Sequence, residues 1–211
     1  MNTQDRILFY GDSNTYGYIS DNARFSPKIR FPCVAASLLS SAIAIEEGLT
    51  GRLAARSHSL ADDIILGGAS FPRILDKSLP LSALVLMLGT NDLIPPFFRK
   101  IDGIVEDIRF MVRFARYRQR SLPILLLYPP PVAESWFCRR ESKLSTKLKR
   151  ISWPTIFDAY KSLAMEEKID FLDEIKLSDF ENLPDGLHMS AHTNKLLGKL
   201  VAKKLSIILS R

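Results

Sequence analysis

The feature that most constrains the fold is an unbroken apolar run, L-S-A-L-V-L-M-L, from Leu81 to Leu88, closed by Gly89. Such a run, bounded by turn residues, is typical of a β-strand covered on both faces, as in a parallel sheet. Four shorter runs of the same kind predict further strands at 7–10, 43–46, 123–128 and 169–172.

The segments between these runs have helical periodicity. It predicts helices over 31–43, 71–77, 101–120, 155–168 and 190–209. Strands that alternate with helices indicate βαβ units, and therefore a five-stranded parallel sheet with helices on both sides. A chain of 211 residues fits one domain of this size, so we expect a single three-layer α/β domain over 1–211.

The net charge of +6 raises the question of an anionic partner. Much of the excess lies in two stretches, one with Arg109, Arg113, Arg116, Arg118 and Arg120, the other with Arg139, Arg140, Lys143, Lys147, Lys149 and Arg150. The first has helical spacing and indicates the solvent face of an amphipathic helix. The second, residues 139–150, can attract an anion, but no nucleic-acid-binding motif accompanies it, so no nucleic-acid partner is predicted.

The location is predicted from what the sequence lacks. No apolar run approaches the roughly 18 residues that span a bilayer, and the N-terminus has no signal-peptide pattern. We therefore expect a cytoplasmic protein without membrane insertion. Cys33 and Cys138 are far apart and are expected to be free thiols.

Polar strings follow the predicted strands at one edge of the sheet. They are G-D-S-N-T (11–15), G-L-T-G-R (48–52) and G-T-N-D (89–92), and Y-P-P-P (128–131) ends the fourth strand. Ligands of open parallel sheets bind outside the carboxyl ends of the strands. The sequence therefore predicts a functional site at this edge.

Ser13 is a candidate nucleophile, which requires a base and a group that orients the base. Of the three histidines, His58 lies in a polar loop and is predicted to be a surface residue. His188 and His192 are four apart but lack the glutamate of the zincin motif, so no metal site is predicted. His188 has Asp185 three residues before it in P-D-G-L-H, where a turn can bring the carboxylate onto the imidazole.

Acyl transfer also needs donors for the charge that develops on the carbonyl oxygen. The backbone N–H groups of Ser13 and Gly51 and the side-chain amide of Asn91 are the candidates. An Asx-turn, in which the Asn91 side chain bonds its own backbone, is the alternative for that residue.

Four ordered blocks carry a resemblance: I-L-F-Y-G-D-S-N-T-Y-G, I-E-E-G-L-T-G-R, L-V-L-M-L-G-T-N-D and P-D-G-L-H. The chain resembles the GDSL, or SGNH, hydrolase family, most of all its bacterial arylesterase and acyltransferase branch. The resemblance implies a flavodoxin-like αβα sandwich. It also implies that Ser13, Gly51, Asn91 and His188 are the four residues of the family name, with Asp185 as third member of a catalytic triad.

The resemblance further implies a serine esterase that hydrolyses or transfers small acyl groups such as acetyl. Its partner would be a small-molecule ester, with no metal or cofactor, and a homo-oligomer is possible. Asp12 and Tyr16 are assigned to substrate binding. Tyr16, Tyr18, Phe97, Phe98 and Trp136 are candidates to line the pocket, with core or loop packing as the alternative.

The chain departs from the family pattern at named positions. Asn14 stands where the family name implies leucine, and Tyr16 and Tyr18 stand where relatives often carry tryptophan. Gly67 or Gly68 is the alternative to Gly51, which is preferred because it follows a strand directly.

Two other functions remain open on the sequence. One is a catalytically silent protein of this fold that binds an anionic partner through residues 139–150. The other is a flavin or phosphate binder, because a polar turn after the first strand can hold a phosphate at a helix N-terminus.

Overall fold

The computed structural model describes residues 4–20, 23–133, 136 and 152–211. Cys138 and the basic stretch 139–150 lie outside the described residues. Cys33 is a free thiol, as expected.

The strands are β1 (Asp5–Gly11), β2 (Tyr18–Ser20), β3 (Ala23–Arg24), β4 (Ala42–Gly48), β5 (Ala83–Met87), β6 (Ile124–Leu126) and β7 (Asp170–Phe171). The helices are α1 (Ser13–Tyr16), α2 (Phe31–Ser37), α3 (Gly67–Ser78), α4 (Thr90–Leu93), α5 (Ile101–Arg118), α6 (Trp153–Glu166) and α7 (Ala191–Leu209), and short 3₁₀ turns lie at Asp63–Ile65 and Leu177–Asp179.

Five strands form one parallel sheet in the spatial order β4-β1-β5-β6-β7. Numbered along the chain, these strands stand in the order 2-1-3-4-5, which is the flavodoxin-like arrangement. The central strands β1 and β5 supply the core, since Ile7–Tyr10 and Ala83–Met87 are buried. Strands β2 and β3 form a separate antiparallel pair beside α1. The predicted αβα sandwich is confirmed.

The sequence located the elements better than it located their ends. The helix predicted over 31–43 ends at Ser37, and strand β4 begins at Ala42. The reason is tertiary: β4 pairs residue by residue with β1, from Asp5 opposite Ala42 to Gly11 opposite Gly48. The helix predicted over 71–77 begins earlier, at Gly67.

Arg113 and Arg118 of α5 are exposed, as the helical spacing indicates, and the arginines of this helix also form ion pairs. Arg109 forms ion pairs with Glu166 and Glu167 at 2.8 and 2.9 Å, and Arg113 also pairs with Glu167 at 2.8 Å. These contacts attach α5 to the C-terminal end of α6. Part of the excess positive charge is therefore used within the protein.

The helices pack in two groups. Helix α2 contacts α7, while α3 contacts α5 and α5 contacts α6. In the ranges that the structure describes, none of the helices has both the length and the apolar character required to cross a bilayer.

Candidate active site

Ser13 lies on a tight strand-to-helix turn at the carboxyl end of β1. Asp12 is the N-cap of α1, and its Oδ1 accepts the N–H of Asn14 at 2.8 Å. Gly17 ends this one-turn helix in the left-handed region, at φ 79°. Gly11 is required by close packing, because a Cβ there would lie 2.6 Å from the carbonyl oxygen of Met87. The serine is thus held by backbone geometry that its neighbours determine.

The loop that carries the histidine is attached to the end of β6. The N–H of Ala133 donates to the carbonyl of Gly186 at 2.7 Å. Nδ2 of Asn182 donates to the carbonyl of Pro131 at 3.0 Å. The triple proline after β6 therefore helps to hold the loop that leads to His188.

The structure brings Ser13, Asp185 and His188 together, although the sequence separates them. Nε2 of His188 lies 2.9 Å from Oγ of Ser13, and its Nδ1 lies 2.6 Å from Oδ2 of Asp185. Ser13 and His188 are buried, at 5% and 9% exposure. The hydrogen bonds fit an imidazole that contacts the hydroxyl through one nitrogen and the carboxylate through the other.

The Asp185 carboxylate is held in its charged form. Its Oδ1 accepts the backbone N–H groups of Leu187 and His188 at 2.8 and 3.0 Å. Burial alone raises the pKa of this carboxyl, but the hydrogen bonds from the His188 ring and from the two amides outweigh it and lower the pKa. A carboxylate that stays ionised can stabilise positive charge on the imidazole.

The predicted oxyanion donors lie on neighbouring turns. Nδ2 of Asn91 donates to the carbonyl of Arg52 at 3.0 Å, which links the turn after β5 to the turn after β4. The Asn91 side chain thus bonds a distant carbonyl and not its own backbone, so the Asx-turn alternative is wrong. Its second amide hydrogen has no acceptor within the described ranges of the chain. The N–H of Ser13 opens α1, where a helix offers no acceptor.

Gly51 fits the donor position better than the alternatives do. It has a φ of 75°, which favours glycine, and its N–H donates to no other group in the described part of the chain. The N–H groups of Gly67 and Gly68 already donate to the carbonyls of Leu53 and Ala55, each at 2.9 Å. Those two amides are therefore not free to bind a ligand.

Two supporting side chains were missed by the sequence reasoning. The buried Arg52 guanidinium donates to the carbonyls of Gly11 and Glu47 and so joins the ends of β1 and β4. The buried Asp92 carboxylate accepts the N–H of Ala54 at 2.8 Å and forms an ion pair with Arg99. Each residue directly follows a predicted site residue, which is the only signal that the sequence offered.

The two residues assigned to substrate binding have other contacts. Asp12 is 1% exposed and caps α1, so its carboxylate faces the interior. The ring of Tyr16 lies under the guanidinium of Arg24, at 4.4 Å. It is Tyr18 whose ring lies against the imidazole of His188, with centroids 4.3 Å apart.

The other aromatic candidates take part in small apolar clusters near the loops of the site. Phe98 packs with the buried Trp136, in a cluster that also holds Leu187, next to the histidine. Phe97 instead packs edge-on against His58, with centroids 5.1 Å apart. Their contacts match the packing alternative and leave a role in lining the pocket as a prediction.

His192 is exposed at the start of α7. Among the described residues, no group of three or more His, Cys, Asp or Glu side chains could hold a metal ion.

The buried carboxyl of Asp12 predicts a pH dependence of stability. Burial is the main reason that its pKa is raised from 3.8 to about 7. Between these values the native state binds more protons than the unfolded state, so the free energy of unfolding falls as the pH rises from about 4 to about 7. Asp12→Asn keeps the cap acceptor and removes the charge. We expect this variant to be more stable than the wild type at pH 8, with the difference shrinking by pH 5, in denaturant titrations. An equal difference at both pH values would contradict the raised pKa.

Comparison with solved structures places this fold in a known class. The inhibitor-bound aryl esterase of M. smegmatis is 27% identical, with a TM-score of 0.81 over 97% of this chain and 99% of that chain. A carbohydrate acetylesterase family member from Sinorhizobium meliloti is 29% identical, with a TM-score of 0.79 over 99% and 100%. A lipase/acylhydrolase from Enterococcus faecalis, 19% identical with a TM-score of 0.64 over 95% of each chain, shares the fold.

These structures define the class as a three-layer α/β protein with a parallel five-stranded sheet. More narrowly, the aryl esterase and the carbohydrate acetylesterase confirm the resemblance to the GDSL/SGNH hydrolase family that the four sequence blocks indicate. No protein-family model matches the chain. No curated protein matches its sequence significantly.

Proposed function

We propose that the protein is a serine esterase. The observation that carries this proposal is the hydrogen-bonded chain from Ser13 through His188 to Asp185, with distances of 2.9 and 2.6 Å. These are the distances at which a base can accept a hydroxyl proton and a carboxylate can orient that base. The similarity to esterases and acetylesterases supports ester hydrolysis independently.

The reaction begins when Oγ of Ser13 bonds to the ester carbonyl carbon while Nε2 of His188 takes the hydroxyl proton. Asp185 stabilises the imidazolium that forms. The carbonyl oxygen, now negative, accepts hydrogen bonds from the amides of Ser13 and Gly51 and from Nδ2 of Asn91. The tetrahedral intermediate then collapses, and the alcohol leaves with the proton from His188. Water, or a second alcohol, then attacks the carbonyl carbon of the acyl-enzyme while His188 takes its proton. His188 returns that proton to Oγ of Ser13 as the C–O bond to the serine breaks, and the acid or the new ester leaves.

The similar structures and the aromatic ring beside the base support a substrate class. An aryl esterase and a carbohydrate acetylesterase are among the similar structures, which favours short acyl groups. The ring of Tyr18 lies beside the candidate base, with its centroid 4.3 Å from that of the His188 imidazole. We therefore expect p-nitrophenyl acetate to be hydrolysed faster than esters with longer acyl chains.

The first experiment is an acyl-chain panel with the purified wild-type protein, followed by labelling with a phosphonate probe and mapping of the label. Acetate hydrolysis and a label on Ser13 support the proposal. A protein that neither turns over any ester of the panel nor takes up the phosphonate is not a serine esterase.

Both alternative functions explain less of this site. A flavin or phosphate binder has no use for a buried His188 bonded to both Ser13 and Asp185. A silent protein that binds anions through residues 139–150 has no need of an Asp185 carboxylate bonded to the ring of His188. Absence of flavin absorbance, together with ester turnover, would separate the esterase from both.

The amide of Asn91 is expected to contribute strongly to turnover. Asn91→Ala removes a donor for the oxyanion, and such a loss typically costs about 10²–10³ in kcat. The side chain is half-buried and gives up one hydrogen bond, to Arg52, so we expect only a small loss of stability. Steady-state kinetics with p-nitrophenyl acetate and thermal unfolding measure both effects. An unchanged kcat would remove Asn91 from the oxyanion site.

A further inference from the structure

Asn14, the residue directly after the candidate nucleophile, connects two distant parts of the chain. Its side chain is 3% exposed. Its Oδ1 accepts the backbone N–H of Met189 at 2.8 Å, across a sequence separation of 175 residues. Met189 directly follows the candidate base. The bond thus joins the turn that holds Ser13 to the backbone that holds His188.

The backbone around Met189 is held on other sides as well. Its carbonyl accepts a hydrogen bond from Nδ2 of Asn194 at 3.2 Å. The carbonyl of His188 accepts the N–H of Leu183 at 2.7 Å. These bonds tie the loop to α7 and to itself. The bond from Asn14 is different, because it ties the loop to the turn of the nucleophile.

The side-chain amide of Asn14 is not the group that would stabilise the fold most at this position. Its Nδ2 is buried and has no hydrogen-bond partner among the residues that the structure describes. An unpaired buried donor is costly, and an apolar side chain of similar volume would avoid that cost. Leucine at this position, however, would leave the N–H of Met189 without its acceptor. The amide is therefore best explained by its oxygen and by the backbone that the oxygen holds.

Small displacements matter at this point in the molecule. Nε2 of His188 lies at bonding distance from Oγ of Ser13, and a shift of about 1 Å in such a contact can cost about 10²-fold in rate. From these contacts we infer that Asn14 is a positioning residue of the esterase. Its Oδ1 holds the amide of Met189 and so sets the distance between the imidazole and the hydroxyl. This inference rests on the proposed function.

The test compares three variants with the wild type in p-nitrophenyl acetate hydrolysis, at a temperature where all are folded. Asn14→Leu removes the acceptor and is expected to lower kcat by about 10- to 100-fold, with KM within about twofold of wild type. Asn14→Asp keeps an oxygen acceptor in either protonation state and is expected to restore kcat to within about fivefold of wild type. Val201→Ala creates a cavity in the buried face of the middle of α7 and is expected to lower the Tm while kcat stays unchanged.

The split between kcat and KM, and the rescue by aspartate, distinguish positioning from a general loss of stability. A wild-type kcat in Asn14→Leu overturns the inference, as does equal impairment of the leucine and aspartate variants. If Asn14→Leu does not fold, Asn14→Ala is judged by the same criteria. An inactive wild type overturns the proposed function and this inference together, whereas an active wild type with an active leucine variant overturns this inference alone.

Discussion

Replacing Ser13 by alanine is expected to abolish ester hydrolysis and to leave the fold intact. Its hydroxyl is the only side-chain group in the proposed mechanism that bonds to the carbonyl carbon, and loss of a serine nucleophile costs about 10⁶ in kcat. The side chain loses one oxygen, whose hydrogen bond is to His188. Turnover of p-nitrophenyl acetate, phosphonate labelling and Tm are the three measurements.

Ser70→Ala is the matched control for this variant. Ser70 lies on helix α3, where its Oγ bonds the hydroxyl of Tyr10 and the carbonyl of Gly67, so its loss is expected to leave kcat within about twofold of wild type. If Ser13→Ala retains wild-type turnover while it is folded, then Ser13 is not the nucleophile and the mechanism proposed above is wrong.

Replacing Asp185 by asparagine is expected to lower kcat by about 10⁴-fold with little change in structure. The amide oxygen can still accept the N–H groups of Leu187 and His188 that Oδ1 accepts now. The amide nitrogen then faces Nδ1 of the imidazole, where it can only donate. Nδ1 must become the acceptor, so the proton moves to Nε2, which can no longer take the proton of the serine.

The expected signature is a fall in kcat with a nearly unchanged KM, measured at the same temperature as for the wild type. Asp173→Asn serves as the control, because Asp173 pairs with Lys161 at the surface and such pairs contribute little. An Asp185→Asn enzyme that keeps kcat within tenfold of wild type would mean that the carboxylate does not set the tautomer of His188.

The order of strands and helices was predictable because it depends on local patterns. A buried strand such as Ala83–Met87 must be apolar on both faces, so it shows in the sequence as a run of consecutive apolar residues. The end of α2 was not predictable, because residues 42 and 43 become part of β4 through pairing with β1. The periodicity of a segment carries no information on the strand with which its residues will pair.

The predicted site residues Ser13, Asp185 and His188 could be chosen from the sequence because few histidines were available and one had a carboxylate nearby. Asp12, Tyr16 and Tyr18 could not be sorted in the same way. All three follow the first strand closely, and the residue types alone do not show which side chain faces the site. Only the packed structure shows that the Asp12 carboxylate turns inward to cap α1 and that Tyr18 lies against the imidazole.

The sequence by itself determined the α/β architecture, the edge of the sheet at which polar residues gather and the identity of the candidate nucleophile and base. Tertiary structure alone decided their separation of 2.9 Å, the hydrogen bonds that occupy the amides of Gly67 and Gly68, and the bond from Asn14 to Met189. The physical reason is the separation along the chain over which each kind of interaction acts. Periodicity and turn chemistry act between neighbours in the chain, whereas a hydrogen bond across 175 residues exists only when the whole sheet and its loops have packed.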